Sequence, residues 1–306
     1  MDEPTEAVIG SASRRFRAAT CGAALSLLAL ALTWGIAAHV PAARLSDAAA
    51  LRGFIGLDRP IVDTLSTGVL DLINPVFCTL FGLAAMAVAV HRGRRRLALA
   101  IPVILIGAVV SAEILKPLLA VPHAFIAPGH QVPGSSWPSG HSTAAMTMTL
   151  CALLVAAPRW RPAVAAVGGV LTLAVGFATL TLAWHMPSDV IGGFLLAGLW
   201  VSAAVAVLSR AEARASSRAP HALALRRARR ASRLPAGRRP DPAGTETLVP
   251  GVVLGSVFTV ALAIVVLRPT EVANFASAHH SVVAFATVIT ALATTLVSGF
   301  TVALRR

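Results

Sequence analysis

Apolar runs long enough to cross a lipid bilayer recur along almost the whole chain, and they restrict its possible folds more than any other feature. A spanning helix needs about 20 predominantly apolar residues, because backbone N–H and C=O groups find no partner in hydrocarbon except each other. Such runs cover residues 19–40, 68–90, 97–115, 140–157, 163–182, 190–208, 249–267 and 282–303. They predict eight transmembrane helices in an all-α, polytopic membrane bundle. Composition agrees, since 56% of residues are apolar, only 13% are charged and mean hydropathy is +0.77, well away from a soluble globular domain. The first run is too long for the apolar part of a cleaved signal peptide and is expected to remain as the first helix.

The cations set the expected orientation, because short cytoplasmic loops hold an excess of Arg and Lys. With a cytoplasmic N-terminus, 21 of the 26 Lys and Arg residues fall on the cytoplasmic side. Only Arg44, Arg52, Arg59, Lys116 and Arg268 then face outward, and both termini are cytoplasmic. The expected organisation is a cytoplasmic N-terminus at 1–18, a six-helix core at 19–208, an Arg-rich cytoplasmic loop at 209–248 and a C-terminal transmembrane hairpin at 249–306. The formal charge of +13 reads first as a topology signal and second as attraction to anionic lipid; nucleic acid is not an expected partner. Cys21, Cys78 and Cys151 all fall in apolar runs, as small packing residues rather than a disulfide or metal framework.

Three short segments carry chemistry. Lys116, the chain's single lysine, ends the third apolar run. Pro138-Ser139-Gly140-His141 opens the fourth, and His185-Met186-Pro187-Ser188-Asp189 opens the sixth. The expected topology places all three on the outer face. Ser139 and Gly140 stand at a helix start, where free N–H groups and the positive end of the helix dipole favour an anion.

Order and spacing of these segments resemble the three motifs of the type 2 phosphatidic acid phosphatase (PAP2) family, related to bacterial acid phosphatases and vanadium haloperoxidases. The likeness covers about residues 60–208. It implies a metal- and cofactor-independent phosphatase with His185 as nucleophile, Asp189 orienting its ring and His141 as general acid and base. Lys116, Ser139 and Gly140 would bind the substrate phosphate. A site built from the ends of spanning helices suits a lipid phosphate: a polyprenyl phosphate or diphosphate, phosphatidic acid or phosphatidylglycerophosphate. The expected location is the plasma membrane, with the site facing outward.

The sequence also departs from the family pattern. His123 and Ala124 stand where the first motif ends in Arg-Pro, and Thr179 stands where the third motif has an Arg. Two bidentate phosphate contacts are thereby absent. His123 when protonated, the hydroxyls of Thr179 or Thr181, or Arg44, Arg52, Arg59 or Arg268 are the expected substitutes. A phosphoryl transferase of the same mechanism and a catalytically silent lipid-binding protein stay open as alternatives. Glu113, at i to i+3 from Lys116, is placed to pair with it. Trp137 and Trp184 are expected as interface anchors, and Phe125 to Trp137 as an irregular loop or a lid.

Overall fold

In the computed structural model, described over residues 3–57, 59–121, 125–218 and 269–304, helices α1 (Glu3–His39) and α2 (Pro41–Ile55) come first. Helices α3 (Pro60–Asp71), α4 (Pro75–His91) and α5 (Arg95–Leu118) follow. Strands β1 (Phe125–Ala127) and β2 (His130–Val132) then form an antiparallel hairpin, with Phe125 opposite Val132. The remaining helices are α6 (Gly140–Val155), α7 (Arg161–Thr181), α8 (Pro187–Arg218), α9 (Pro269–Ala278) and α10 (His280–Ala303). The stretch expected to be irregular therefore begins with a two-stranded element.

Among the described residues, Ser13–His39, Arg95–Leu118, Pro158–Thr181, Pro187–Ala215 and His280–Ala303 are long and apolar enough to cross a membrane. Helices α3 and α4 pass that test only together, bent by 49°. The run expected at 68–90 is thus broken, and the cause is local. A residue before proline is pushed out of the helical region, and Asn74 is extended, its side chain accepting the Phe77 amide at 3.0 Å as an N-cap. Pro75 then starts α4, where its missing N–H costs nothing. The run expected at 249–267 lies outside the described residues, and with it one half of the expected C-terminal hairpin. Helix α2 was not legible as an apolar run because Arg44, Asp47 and Arg52 interrupt it.

Helices α6 and α8 form the centre. The apolar window of α8 is 67% buried, against 17% for α1 and 22% for α10, whose outward Leu and Val side chains suit a hydrocarbon surround. With 16 residues, α6 is about 24 Å long, shorter than the hydrocarbon core, but it is enclosed by protein. At its far end Arg92 and Arg94 donate to the carbonyls of Val155 and Leu154, satisfying acceptors that a helix end leaves orphaned. Helix α1 lies along α8, α3 along α7, and α10 crosses α2, α7 and α8. Tryptophans tie the layers: Trp34 Nε1 donates to the Leu119 carbonyl at 3.0 Å and Trp200 Nε1 to Ser111 Oγ at 3.1 Å.

Two glycines let α8 reach the start of α6. A Cβ on Gly193 would stand 2.7 Å from the Ser139 carbonyl oxygen and 3.0 Å from the Thr143 nitrogen; one on Gly192 would stand 2.7 Å from the Trp137 ring. Backbone cannot yield as a flexible side chain can. We predict that Gly193→Val lowers stability by about 1–3 kcal/mol through overpacking. Gly169→Ala, where no atom lies within 4 Å, should leave it unchanged or slightly higher. Thermal unfolding in detergent reads both, and a Gly193→Val protein that melts like the parent contradicts this packing.

Candidate active site

The end of α7 and the start of α8 are joined by a tight turn. Trp184 and His185 both donate their amides to the Thr179 carbonyl, at 2.9 and 3.3 Å. Ala183 takes a left-handed φ of 54° there, a conformation that costs a non-glycine residue of order 1 kcal/mol. Pro187 starts α8, so Asp189 falls in its first turn, where a carboxylate is favoured by the helix dipole. Asp189 Oδ2 accepts the Met186 amide at 2.9 Å and lies 3.3 Å from His185 Nδ1. Both side chains are buried. The i to i+4 spacing of His185 and Asp189 thus becomes a ring held through Nδ1, which directs Nε2 away from the carboxylate.

The start of α6 abuts this turn. The Ser139 amide donates to the Asp189 carbonyl at 2.9 Å. Ser139 Oγ, fully buried, caps α6 by accepting the Ser142 amide at 3.3 Å, and its own O–H remains a donor. Beside Gly140 sit the Glu113 and Lys116 side chains: a Cβ at Gly140 would meet Glu113 Oε1 at 2.9 Å and Lys116 Nζ at 3.6 Å. Glu113 and Lys116 are paired at 2.6 Å, as their spacing suggested. The His141 ring packs on Trp184, centroids 5.5 Å apart, within electrostatic range of His185 and Lys116. Lys116, Ser139, Gly140, His141, His185 and Asp189 therefore gather at one end of the bundle.

Other expected participants are placed differently. His123 lies outside the described residues, as does Arg268. Thr179 is fully buried with its hydroxyl donating to the Gly176 carbonyl at 2.8 Å, so it does not substitute for the missing arginine. Thr181 Oγ1 is engaged by the Ala178 carbonyl and Ser66 Oγ. Trp137 is buried at 6% exposure, a core residue packed on Gly192 rather than an interface anchor, whereas Trp184 is 47% exposed. Arg44 and Arg52 line a cavity of about 270 Å³ between α1, α2, the hairpin and the start of α8, whose lining includes Asp189.

Residues 97–213 match the family model described as the PAP2 superfamily. That segment is a PAP2 domain. The fold is similar to the crystal structure of the transmembrane PAP2-type phosphatidylglycerolphosphate phosphatase from Bacillus subtilis, with a TM-score of 0.51 and 21% identity over 61% of this chain and 96% of that one. No curated protein matches the sequence. The PAP2 domain runs from the start of α5 into α8 and contains all the residues gathered above.

One residue beside the site has no motif to announce it. Asp47 of α2 accepts the Ser188 amide at 3.0 Å and the Ser188 hydroxyl at 2.6 Å. It lies outside the matched PAP2 segment, and a lone acid between apolar runs carries no signal in a sequence. Burial pushes its carboxyl up to about 7, assisted by the neighbouring Asp189 and opposed by the bonds from Ser188. The sign of the consequence is fixed: a proton held in the fold but released by the unfolded chain gives stability that is complete below the ordinary value of 3.8 and lost as pH rises to about 7. The unfolding temperature should therefore fall between about pH 4 and about pH 7, and Asp47→Asn should flatten that fall. Identical slopes in parent and variant would contradict the assignment.

Proposed function

We propose that this protein is a membrane lipid phosphatase that works through a phosphohistidine on His185, at the outer face of the membrane. The observation that carries the reading is the His185 to Asp189 contact through Nδ1, which leaves Nε2 as the attacking atom beside the start of α6. The family match of residues 97–213 and the PAP2-type phosphatase fold support the class, and the apolar helices support a substrate whose tail stays in the bilayer.

In the first step the Nε2 lone pair attacks phosphorus, an N–P bond forms and the bond to the lipid oxygen breaks. His141 as imidazolium gives its proton to that oxygen. Asp189 accepts Nδ1–H and stabilises the positive charge that builds on the ring. In the second step His141 takes a proton from water, the water oxygen attacks phosphorus and the N–P bond breaks. Phosphate leaves and His185 is restored. The positive N-terminal end of α6 and the Lys116 ammonium offset charge on the phosphoryl oxygens.

The Glu113 to Lys116 pair favours a second reading, phosphoryl transfer or lipid binding without hydrolysis. With both motif arginines replaced and the lysine partly neutralised, the described site holds little net positive charge. Phosphate release from polyprenyl diphosphate, phosphatidic acid and phosphatidylglycerophosphate by purified protein in detergent decides between them. His185→Ala should lose at least about a thousandfold, as expected when the nucleophile is removed, and His141→Ala about a hundredfold or more. Equal background release from parent and His185→Ala would reject the hydrolase and favour the second reading.

A further inference from the structure

Asp189 makes its carboxylate contacts within its own turn, to Met186 N and His185 Nδ1. A turn cannot fix its own position in the bundle. Three hydrogen bonds to other parts of the chain do so: the Ser139 amide to the Asp189 carbonyl, and the pair from Ser188 to Asp47, 141 residues away in sequence. The pair reaches α2, a helix too short and too polar to be a span. We propose that Asp47 is a positioning residue for the His185–Asp189 pair, holding Ser188 and with it the first turn of α8. The proposal rests on the hydrolase reading above for its kinetic consequence, but not for its structural one.

Three observations support it. Burying a carboxylate is costly unless its hydrogen bonds are satisfied, and Asp47, at 5% exposure, uses both oxygens on one residue of α8. Ser188 N–H is one of the donors a helix start leaves unpaired, so Asp47 acts as a cap supplied by another helix. The ionisable side chains facing the same cavity are Asp189 from α8 and Arg44 and Arg52 from α2 itself; α1 and the hairpin segment contribute none among the described lining residues. When Asp47 ionises, a second negative charge therefore stands behind Asp189 and opposes the contact that holds this turn.

The test uses full-length protein in detergent with Asp47→Ala, Asp47→Asn and Ser188→Ala. Nitrogen NMR of ¹⁵N-labelled histidine should show His185 in the Nδ1–H form in the parent and in a mixed form in Asp47→Ala and Ser188→Ala. Asp47→Asn, which can still accept the Ser188 amide, should restore the parent signal. With a lipid phosphate that the parent hydrolyses, kcat of Asp47→Ala should fall about tenfold or more while KM stays within about twofold, the mark of lost geometry rather than lost binding. The ratio of parent to Asp47→Asn activity should fall as pH rises through about 7. His185 signals in Asp47→Ala and Ser188→Ala that match the parent would overturn the proposal. Absence of phosphate release from the parent would reject the hydrolase reading alone, because the NMR result still decides the positioning role. Should Asp47→Ala not fold, Ser188→Ala carries the test.

Discussion

The starts of α6 and α8 meet backbone to backbone at one end of the bundle, and the arrangement of the site depends on that contact. The Ser139 amide donates to the Asp189 carbonyl, and Gly193 removes the Cβ that would strike the Ser139 oxygen. Two helix N-termini in contact concentrate unpaired N–H groups and positive potential at one place. Such a junction is unfavourable unless negative charge meets it. Asp189 supplies part of that charge from behind, and the open side of the junction is suited to an anion. The histidines stand at its edge, His141 on α6 and His185 on the turn before α8.

The opposite end of the bundle shows the complementary arrangement. Carbonyls at the end of α6 accept from Arg92 and Arg94, and the Leu304 carbonyl, following α10, accepts from Arg161 Nη1 at 2.6 Å. Cations favour helix C-termini as anions favour N-termini. The arginines that indicate topology in the sequence thus have a local task as well, which is to close the short α6 and to tie α10 to α7. The polarity of the bundle, carboxylates and histidines at one end and arginine-capped carbonyls at the other, follows from which helix ends meet there.

Much of this was legible in the sequence, for identifiable reasons. Apolar runs report helices because the hydrocarbon leaves the backbone no alternative, and the i to i+4 and i to i+3 spacings of His185 with Asp189 and Glu113 with Lys116 translate directly into contacts on a helix. Gly192 and Gly193 were visible as residues but not as an approach, since the partner surface at Trp137 and Ser139 lies some fifty residues away in the chain. The break at Asn74-Pro75 was written in the sequence yet masked by the apolar residues on both sides. The position of Thr179 in the sequence suggests a hydroxyl offered to substrate, whereas tertiary burial turns that hydroxyl back to the Gly176 carbonyl. Asp47 had no local pattern at all: its role depends on α2 folding back over α8, which no periodicity encodes.

The proposed phosphohistidine mechanism requires His185 to become covalently phosphorylated during turnover, and rapid quenching of the protein with a lipid substrate labelled at the phosphate tests this most directly. An acid-labile, base-stable label should appear on His185, accumulate in His141→Ala, where release by water is slowed, and be absent from His185→Ala. Phosphate release by the parent protein with no label on His185 at any time, together with comparable release by His185→Ala, would contradict the mechanism.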